Sequence, residues 1–568
     1  MSLFGAIQMG GNTLRAMQIG LQVVGNNIAN ANTPGYVRQE AIYSPAPVQR
    51  QGNLILGLGV RVESIIQKLD RFVQERLVGA RSDRAAAQTQ ERAYRDLEVM
   101  LNELSSDGDL SSGMTAFFNS IHEVMTDPGN VAARSQVVGN GVTLTQRLAD
   151  LNSRVFTIQG QLNERVSAVS DQINNLSEQI RELNLQIVSI EGGDASSSSA
   201  GSLRVRRQNA VDSLAELIGI HIEEQPSGAL SVAIGGEFLV FEGQRRAVEV
   251  DATSENGEGL GIIQFVDSKS VLQTSTGELQ GLYTARDQIA GDFLDGLNEL
   301  AGTLAFEFNK VYSQGQGLVG FSTLTSTETI NDADAALDAA GLPFTPVNGA
   351  FDVLIHSKED NLTKTHTIRI DLNGLDDDTT LNDLAAELDA IEGLSAAVTS
   401  SGALALSSES TDVEFAFAGD TSGALAALGL NTFFTGSSAG TLGVNANLKG
   451  IDNASKFAAS REGIGEDSLN AELLAAFLDQ PLESAGNASL IDLYNQLLNE
   501  VTQGSAAAQS VAEGFRVFEG TLEGQAQAVS GVSLDEEAIK MITLQRIFQA
   551  SARYIQTISE LMDYLVKL

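Results

Sequence analysis

The chain has 568 residues, 43% of them hydrophobic, with 35 Lys and Arg against 73 Asp and Glu for a formal net charge of -38. That much apolar content excludes a disordered chain and suits about three or four cored domains, while the negative field opposes phosphate backbones and anionic lipid, so no nucleic acid and no membrane is expected as a partner. Cysteine is absent, which excludes disulfides, thiolate metal sites and a cysteine nucleophile. No stretch reaches the length of a bilayer span, and the first twenty residues carry Arg15 within the apolar run and lack a basic n-region and a small-residue cleavage site, so no signal peptide is expected.

The first element is an expected helix from about Leu3 to Ala31, with a heptad seam at Ile7, Gly10, Leu14, Met17, Leu21, Val24 and Ile28. Pro34 stops it by forcing Thr33 out of the helical region, and Pro34-Gly35 suits the central pair of a type II turn. Residues 37–62 read as a loop or irregular hairpin. From about Val62 to Leu104 the pattern is helical, with Ile65, Leu69, Phe72, Tyr94, Leu97, Leu101 and Leu104 along a stripe. A loop rich in Ser, Gly and Asp and a short helix near Met114–Met125 lead to the longest periodic element, Leu144 to Ile190. Its spacing predicts an unbroken rod about 70 Å long, with a stutter at Ile158, Leu162 and Val166.

The tract Gly192-Gly193-Asp194-Ala195 and its following serines read as a flexible turn before a short helix, Leu203–Ile218. Alternating residues Leu230, Val232 and Ile234, then Phe238–Phe241, Val248–Val250 and Ile262–Val266, predict a small β domain. A helix follows at about Leu282–Tyr312. Residues 321–450 read as an inserted α+β domain, with alternation at Phe351, Val353 and Ile355 and at Ile368, Ile370 and Leu372. Thr380 and Asp383 form a capping-box start, and strands are expected at Ala403–Leu406 and Val413–Phe417 before a small helix at Gly423–Leu428. Helical patterning resumes from about Ala471 to Ser530. It leads into a second heptad seam at Leu544, Ile547, Ser551, Tyr554, Ile558, Leu561, Leu565 and Leu568, which finishes on the last residue.

Residues 1–60 sum to +2 and residues 535–568 to -1, leaving about -39 for the middle; the insert alone holds 19 acidic against 4 basic residues. Neutral ends with apolar stripes and an acidic, self-repelling middle suit an assembly subunit better than an enzyme, with the insert on the outside. The fold class expected is α+β multidomain, with paired terminal coiled-coil helices, a long helical-bundle rod, a small β domain and an inserted α+β outer domain. The boundaries read are 1–60 with 530–568 for the terminal inner domain; 61–220 with 281–318 and 451–529 for the rod; 221–280 for the β domain; and 319–450 for the insert. His122, His221, His356 and His366 are scattered outside any metal-ligand spacing, so no catalytic, metal or cofactor residue is assigned. The run Asp376-Asp377-Asp378 lacks the closing Glu of a calcium loop and reads as a solvated turn, as do Gly257, Gly259 and Gly261.

The stretch Asn26-Asn27-Ile28-Ala29-Asn30-Ala31-Asn32-Thr33-Pro34-Gly35-Tyr36-Val37-Arg38-Gln39 resembles the N-terminal signature of the flagellar axial proteins, the rod, hook and hook-associated subunits. Ser530-Gly531-Val532-Ser533-Leu534-Asp535-Glu536-Glu537, with Gln545, Gln549, Ala550, Ala552, Arg553 and Ile555, is similar to the C-terminal signature, although Ser533 stands where that family usually has Asn; a capping role survives the exchange. The continuation Gly57-Leu58-Gly59-Val60-Arg61-Val62, the long helical rod and the segment Leu297–Gly317 resemble the hook-associated branch. The resemblance covers about 1–318 and 445–568.

It implies a subunit at the junction of hook and filament, exported by the flagellar type III apparatus and residing outside the cell. Implied partners are further copies of itself in a helical ring, the hook protein, a second hook-associated junction protein and a cytoplasmic export chaperone. A hook or distal-rod subunit is the alternative, and an enzyme or calcium-binding adhesin carried by the insert a more distant one. The expected assembly interface comprises Leu14, Met17, Leu21, Val24, Ile28, Leu544, Ile547, Tyr554, Ile558, Leu561, Leu565 and Leu568, with Asn26, Asn27, Asn30, Asn32, Thr33, Pro34, Gly35 and Tyr36 as family signature residues.

Overall fold

A computed structural model describes residues 3–51, 54–103, 109–192, 200–251, 260–375, 378–450, 453–465 and 467–567. Outside these lie Leu104 and the Ser/Gly/Asp-rich loop after it, Gly193-Asp194-Ala195 with its serines, Gly257, Gly259, Asp376-Asp377 and Leu568. The chain divides into two compact units: Met1–Ala93, Gly160–Arg286 and Ala506–Leu568 form the first, and Tyr94–Gln159 with Asp287–Ser505 the second. The fold is α+β, with long helices and small separate sheets.

In the first unit the N-terminal helix spans Leu3–Ala29 and the C-terminal helix Leu534–Lys567. Between the N-terminal helix and the next, the chain forms a true antiparallel ribbon, Gln39–Pro45 with Val60–Gln67. This corrects the helix expected from Val62. Val60 to Gln67 alternates along a strand, and the helix begins only at Arg71, where the Asp70 carboxylate accepts from the amides of Phe72 (3.0 Å) and Val73 (3.2 Å). Ile65 therefore belongs to a strand and Leu69 to the connection after it.

The rod helix is longer than its heptads suggested, 61 residues from Val131 to Glu191. Gly139-Asn140-Gly141 interrupts the apolar pattern, but the Asn130 side chain caps the amides of Ala132 and Ala133 (3.0 and 3.2 Å) and starts the helix well upstream of Leu144. Val166, Val169, Ile173 and Ile180 of this helix are fully buried beneath the small β domain. That domain consists of a four-stranded antiparallel meander, His221–Glu224, Leu230–Ile234, Glu237–Phe241 and Gln244–Arg245, and a second ribbon, Val248–Asp251 with Ile262–Phe265.

Three asparagines fasten the rod helix to this domain. The Asn163 side chain accepts from the Gly261 amide at 2.8 Å; Asn174 accepts from Val248 N–H and donates to its carbonyl; Asn184 does the same with Leu230 at 2.9 and 2.8 Å. Spacings of eleven and ten residues, close to three turns, put all three on nearly one face. A buried guanidinium, Arg207, donates to the Asn184 carbonyl oxygen and to the Gly228 carbonyl (2.9 and 2.7 Å), and burial pushes its pKa down to about 10.

In the second unit, Phe117, Phe118, Phe308, Tyr312, Phe433, Phe434, Phe457 and Phe477 form a continuous aromatic core, with ring centroids 4.8–6.3 Å apart. Asn309, buried among them, donates to the Phe434 carbonyl and accepts from the amides of Phe433 and Phe434. The helix expected at Leu282–Tyr312 is instead three successive pieces: Gly277–Tyr283, a widened π-turn at Thr284–Ile289, and Ala290–Tyr312.

The insert is a three-stranded sheet with Gly349–Ser357 at its centre, flanked by Leu362–Ile370 and Val413–Ala418. A second three-stranded sheet runs Thr323–Thr325, Leu404–Ser408 and Leu394–Val398. The helix Leu381–Asp389 starts at the Thr380/Asp383 capping box, and Leu381, Leu384 and Leu388 close the core over Phe351, Val353, Phe415 and Phe417. The strands Thr323–Thr325 and Leu394–Val398 went unread because the first is only three residues long and the second is short and Ala-rich, so neither carries a run of alternation.

Asn184→Ala is expected to destabilise the protein by about 1–3 kcal/mol, because the Leu230 amide and carbonyl stay buried without a partner. Thermal unfolding followed by circular dichroism measures it, with Gln161→Ala, at an exposed position of the same helix, as the neutral control.

Candidate assembly interface

The N- and C-terminal helices pack antiparallel, residue 10 facing 555, residue 20 facing 544 and residue 27 facing 537. Glycine sets how closely they approach. A Cβ at Gly10 would overlap the Ile555 side chain, and one at Gly20 would strike Tyr43 and crowd Leu544. Both glycines are buried, as are Met17 and Val24, while Leu14, Leu21 and Ile28 are partly covered.

On the C-terminal helix Glu537 is buried and Met541, Leu544, Phe548, Ser551, Ile555, Ile558 and Met562 are partly covered in an unbroken four-three alternation, with Lys540 and Tyr554 partly covered beside it. The spacing read from the sequence shares Leu544, Ser551 and Ile558 with this face but runs three-four, so it drifts to one side of it. Tyr554 is partly covered, whereas Ile547, Leu561 and Leu565 are exposed. Periodicity sets the interval between seam residues and leaves its phase open when apolar residues occupy both flanks. Leu568 lies outside the described residues.

The signature residues build a polar lock at the far end of this pair. The Asn26 carbonyl closes the helix by accepting from Asn30 twice, from its backbone amide at 3.1 Å and from its side-chain amide at 2.9 Å. Tyr36 N–H donates to the Thr33 carbonyl at 3.1 Å and Gly35 has φ +71°, the type II turn that Pro34-Gly35 predicts. Asn32, Thr33, Pro34 and Gly35 are exposed on this turn.

The turn returns the chain so that Asn27 holds it three ways. Its carbonyl oxygen accepts from the Tyr36 hydroxyl (2.9 Å) and the Gln39 amide (3.0 Å), and its amide donates to the Gln39 carbonyl (2.8 Å). The same amide donates to Glu537 Oε2 at 3.0 Å. Glu537, whose side chain is only 1% exposed, receives Arg38 on its other oxygen at 2.8–2.9 Å, and Arg38 also reaches Glu536 at 2.9 Å. Burial works against the Arg38 charge, yet the two glutamates hold its pKa above the ordinary arginine value; burial and the Glu537 charge raise that of Tyr36.

The backbone joins in: Arg38 N–H donates to the Ser530 carbonyl at 2.9 Å, at the break where the helix Leu490–Ser530 ends. Ser533 then opens the C-terminal helix, its hydroxyl facing the Glu536 amide at 3.5 Å and its carbonyl accepting from Glu537 N–H. Sequence reasoning marked Asn27 as a signature residue but missed Arg38 and Glu537 as a pair. An arginine and a glutamate some five hundred residues apart, each inside a family signature, were the available signal.

Among the described residues no group of three or more His, Asp or Glu is placed to hold a metal, and no helix is long and apolar enough to cross a membrane. His221 faces Glu75 and His356 faces Thr363.

Comparison with known proteins finds relatives along nearly the whole chain. Residues 7–36 match the flagella basal body rod protein family, 94–324 the flagellar hook-associated protein FlgK helical domain, and 523–568 the flagellar basal body rod FlgEFG protein C-terminal family. The chain therefore belongs to the flagellar axial proteins. Within them its family is that of flagellar hook-associated protein 1: it is 25% identical to the protein of that name from Escherichia coli over 98% of each chain. It is 23% identical to the one from Bacillus subtilis over 100% of this chain and 98% of the relative. The solved flagellar hook junction protein FlgK from Burkholderia pseudomallei shares the fold, with a TM-score of 0.50 and 14% identity over 80% of this chain and all of that one.

Arg38→Ala leaves the Glu537 carboxylate buried with only Asn27 and Lys540 near it. Its expected cost is the lower end of about 3–5 kcal/mol, confined to the terminal pair. Hydrogen exchange should show Leu3–Ala29 and Leu534–Lys567 opening earlier while the insert keeps its protection.

Proposed function

We propose that this chain is the structural subunit that joins the bacterial flagellar hook to its filament, acting by assembly and not by catalysis. The observation that carries this reading is the distribution of the matches. Rod-type families match only the two ends, as they would in a hook or rod subunit, whereas residues 94–324 match the helical domain of the hook-associated protein. In this reading residues 1–60 with 530–568 form the inner assembling domain, and the rod, β domain and insert boundaries stay as the sequence suggests. Partners are other copies in a helical ring, the hook protein, a second junction protein and an export chaperone; export proceeds without a cleaved signal peptide.

The exposed apolar side chains of the C-terminal helix support an assembling terminus. Ile539, Ile542, Ile547, Leu561, Tyr564, Leu565 and Val566 remain uncovered after the pair has formed, an amount of apolar surface that marks an interaction face. Neighbouring copies would complete it, and head-to-tail contacts of this kind generate rings or helices.

Electron microscopy of cells lacking the gene should show hooks without filaments, with unpolymerised flagellin in the medium; absent hooks would instead assign the chain to the hook or rod. Deleting Leu561–Leu568 should block incorporation at the hook tip while the unfolding of the insert stays unchanged, and normal incorporation of the truncated chain would refute the role given to the C-terminal helix.

A further inference from the structure

Within the first unit, the helix Arg71–Glu103 and the helix Leu490–Ser530 meet at a surface patch that the terminal pairing does not use. Phe72 is 67% exposed and Phe518 40% exposed, and the Arg76 guanidinium lies over both rings, 5.6 and 5.7 Å from their centroids. Val511 and Val517 extend the apolar surface along the second helix. Aromatic residues and arginine are the side chains that most often anchor protein interfaces, and stacking on two rings holds the guanidinium ready for a partner. Among the described residues Arg76 faces these rings and not a carboxylate. In a chain with about two acids for every base, that makes it an available cation on an apolar platform.

We propose that this patch is a landing site for a second copy of the chain, which docks through the first turns of its C-terminal helix. That segment has the complementary composition. Leu534, Ile539 and Ile542 are exposed, and Asp535 stands exposed beside them in the first turn, while the neighbouring Glu536 is already engaged by Arg38. Two rings with a central cation thus meet aliphatic side chains with an anion. Because copies of net charge -38 repel one another, contact is favoured where the charge is locally inverted, and Arg76 supplies such a place. The two surfaces lie on different parts of the same chain, so the contact is heterologous: it propagates from copy to copy in a ring or helix and does not close a twofold dimer. The proposal rests on the self-assembling role above and names the surface that performs it.

The absence of cysteine makes a direct test available. Full-length Phe72→Cys and Ile539→Cys variants are expressed together in cells lacking the gene, and their hook tips are isolated and oxidised. A disulfide-linked dimer from the mixture, absent from either variant alone, is expected. Adding Arg76→Glu to the first variant should reduce the dimer at least tenfold, and adding Asp535→Arg to the second should restore it. The proposal is overturned if the mixture supports filaments yet gives no dimer, if either variant alone gives one, or if the charge exchange fails to restore it. Retention of filaments in the strain without the gene would refute the junction role itself, and a dimer from the mixture would still establish the contact.

Discussion

A carboxylate with 1% of its side chain exposed sits between the two ends of the chain, and its burial is tolerable only with compensation. For Glu537 the principal groups that compensate it, the Asn27 amide and the Arg38 guanidinium, come from sequence positions 510 and 499 residues away. A displacement of either terminus would strand a charge out of water. That penalty selects one antiparallel register for the terminal helices, the register in which Gly10 admits Ile555 and Gly20 admits Leu544. The signature turn Thr33-Pro34-Gly35-Tyr36 serves the same end, since it carries the chain back from Asn27 to Arg38 within a few residues.

The same device, a buried polar side chain satisfying backbone groups of a distant element, recurs in both units. Asn163, Asn174 and Asn184 bind the edges of the small β domain along one face of the rod helix, and Asn309 binds the backbone of Phe433 and Phe434 inside the aromatic core. Apolar packing supplies most of the driving force in each case, but it is non-directional. The asparagines add direction: sliding a strand by one residue would leave its amide and carbonyl unpaired.

The pair is polar and locked at one end of its interface and apolar and open on its outer side. Glu537, Arg38 and Asn27 give it intramolecular specificity, whereas Ile542, Ile547, Leu561 and Leu565 leave apolar area that a single chain does not cover. A subunit that must pair its own termini and then join others needs both kinds of surface. The acidic charge of the chain works in the same direction, because it opposes random association and restricts contact to places where the charge is neutral or inverted.

The helices, the alternation of the central insert strands, the Thr380/Asp383 capping box and the type II turn at Pro34-Gly35 were legible because each rests on local chemistry within one or two turns of chain. Val60–Gln67 was misread, since its strand character depends on pairing with Gln39–Pro45 and its apolar residues also fit a helical stripe. The rod helix was cut short at Gly139-Asn140-Gly141, where local propensity opposes a helix that tertiary packing maintains. By itself the sequence determined that both termini are heptad helices, that they carry the axial-protein signatures, and that the middle holds the charge. Only the tertiary structure decided the phase of the C-terminal seam, which side of it remains open, and the pairing of Arg38 and Asn27 with Glu537. Those depend on groups hundreds of residues apart meeting in a dry interface, and no local spacing encodes such a meeting.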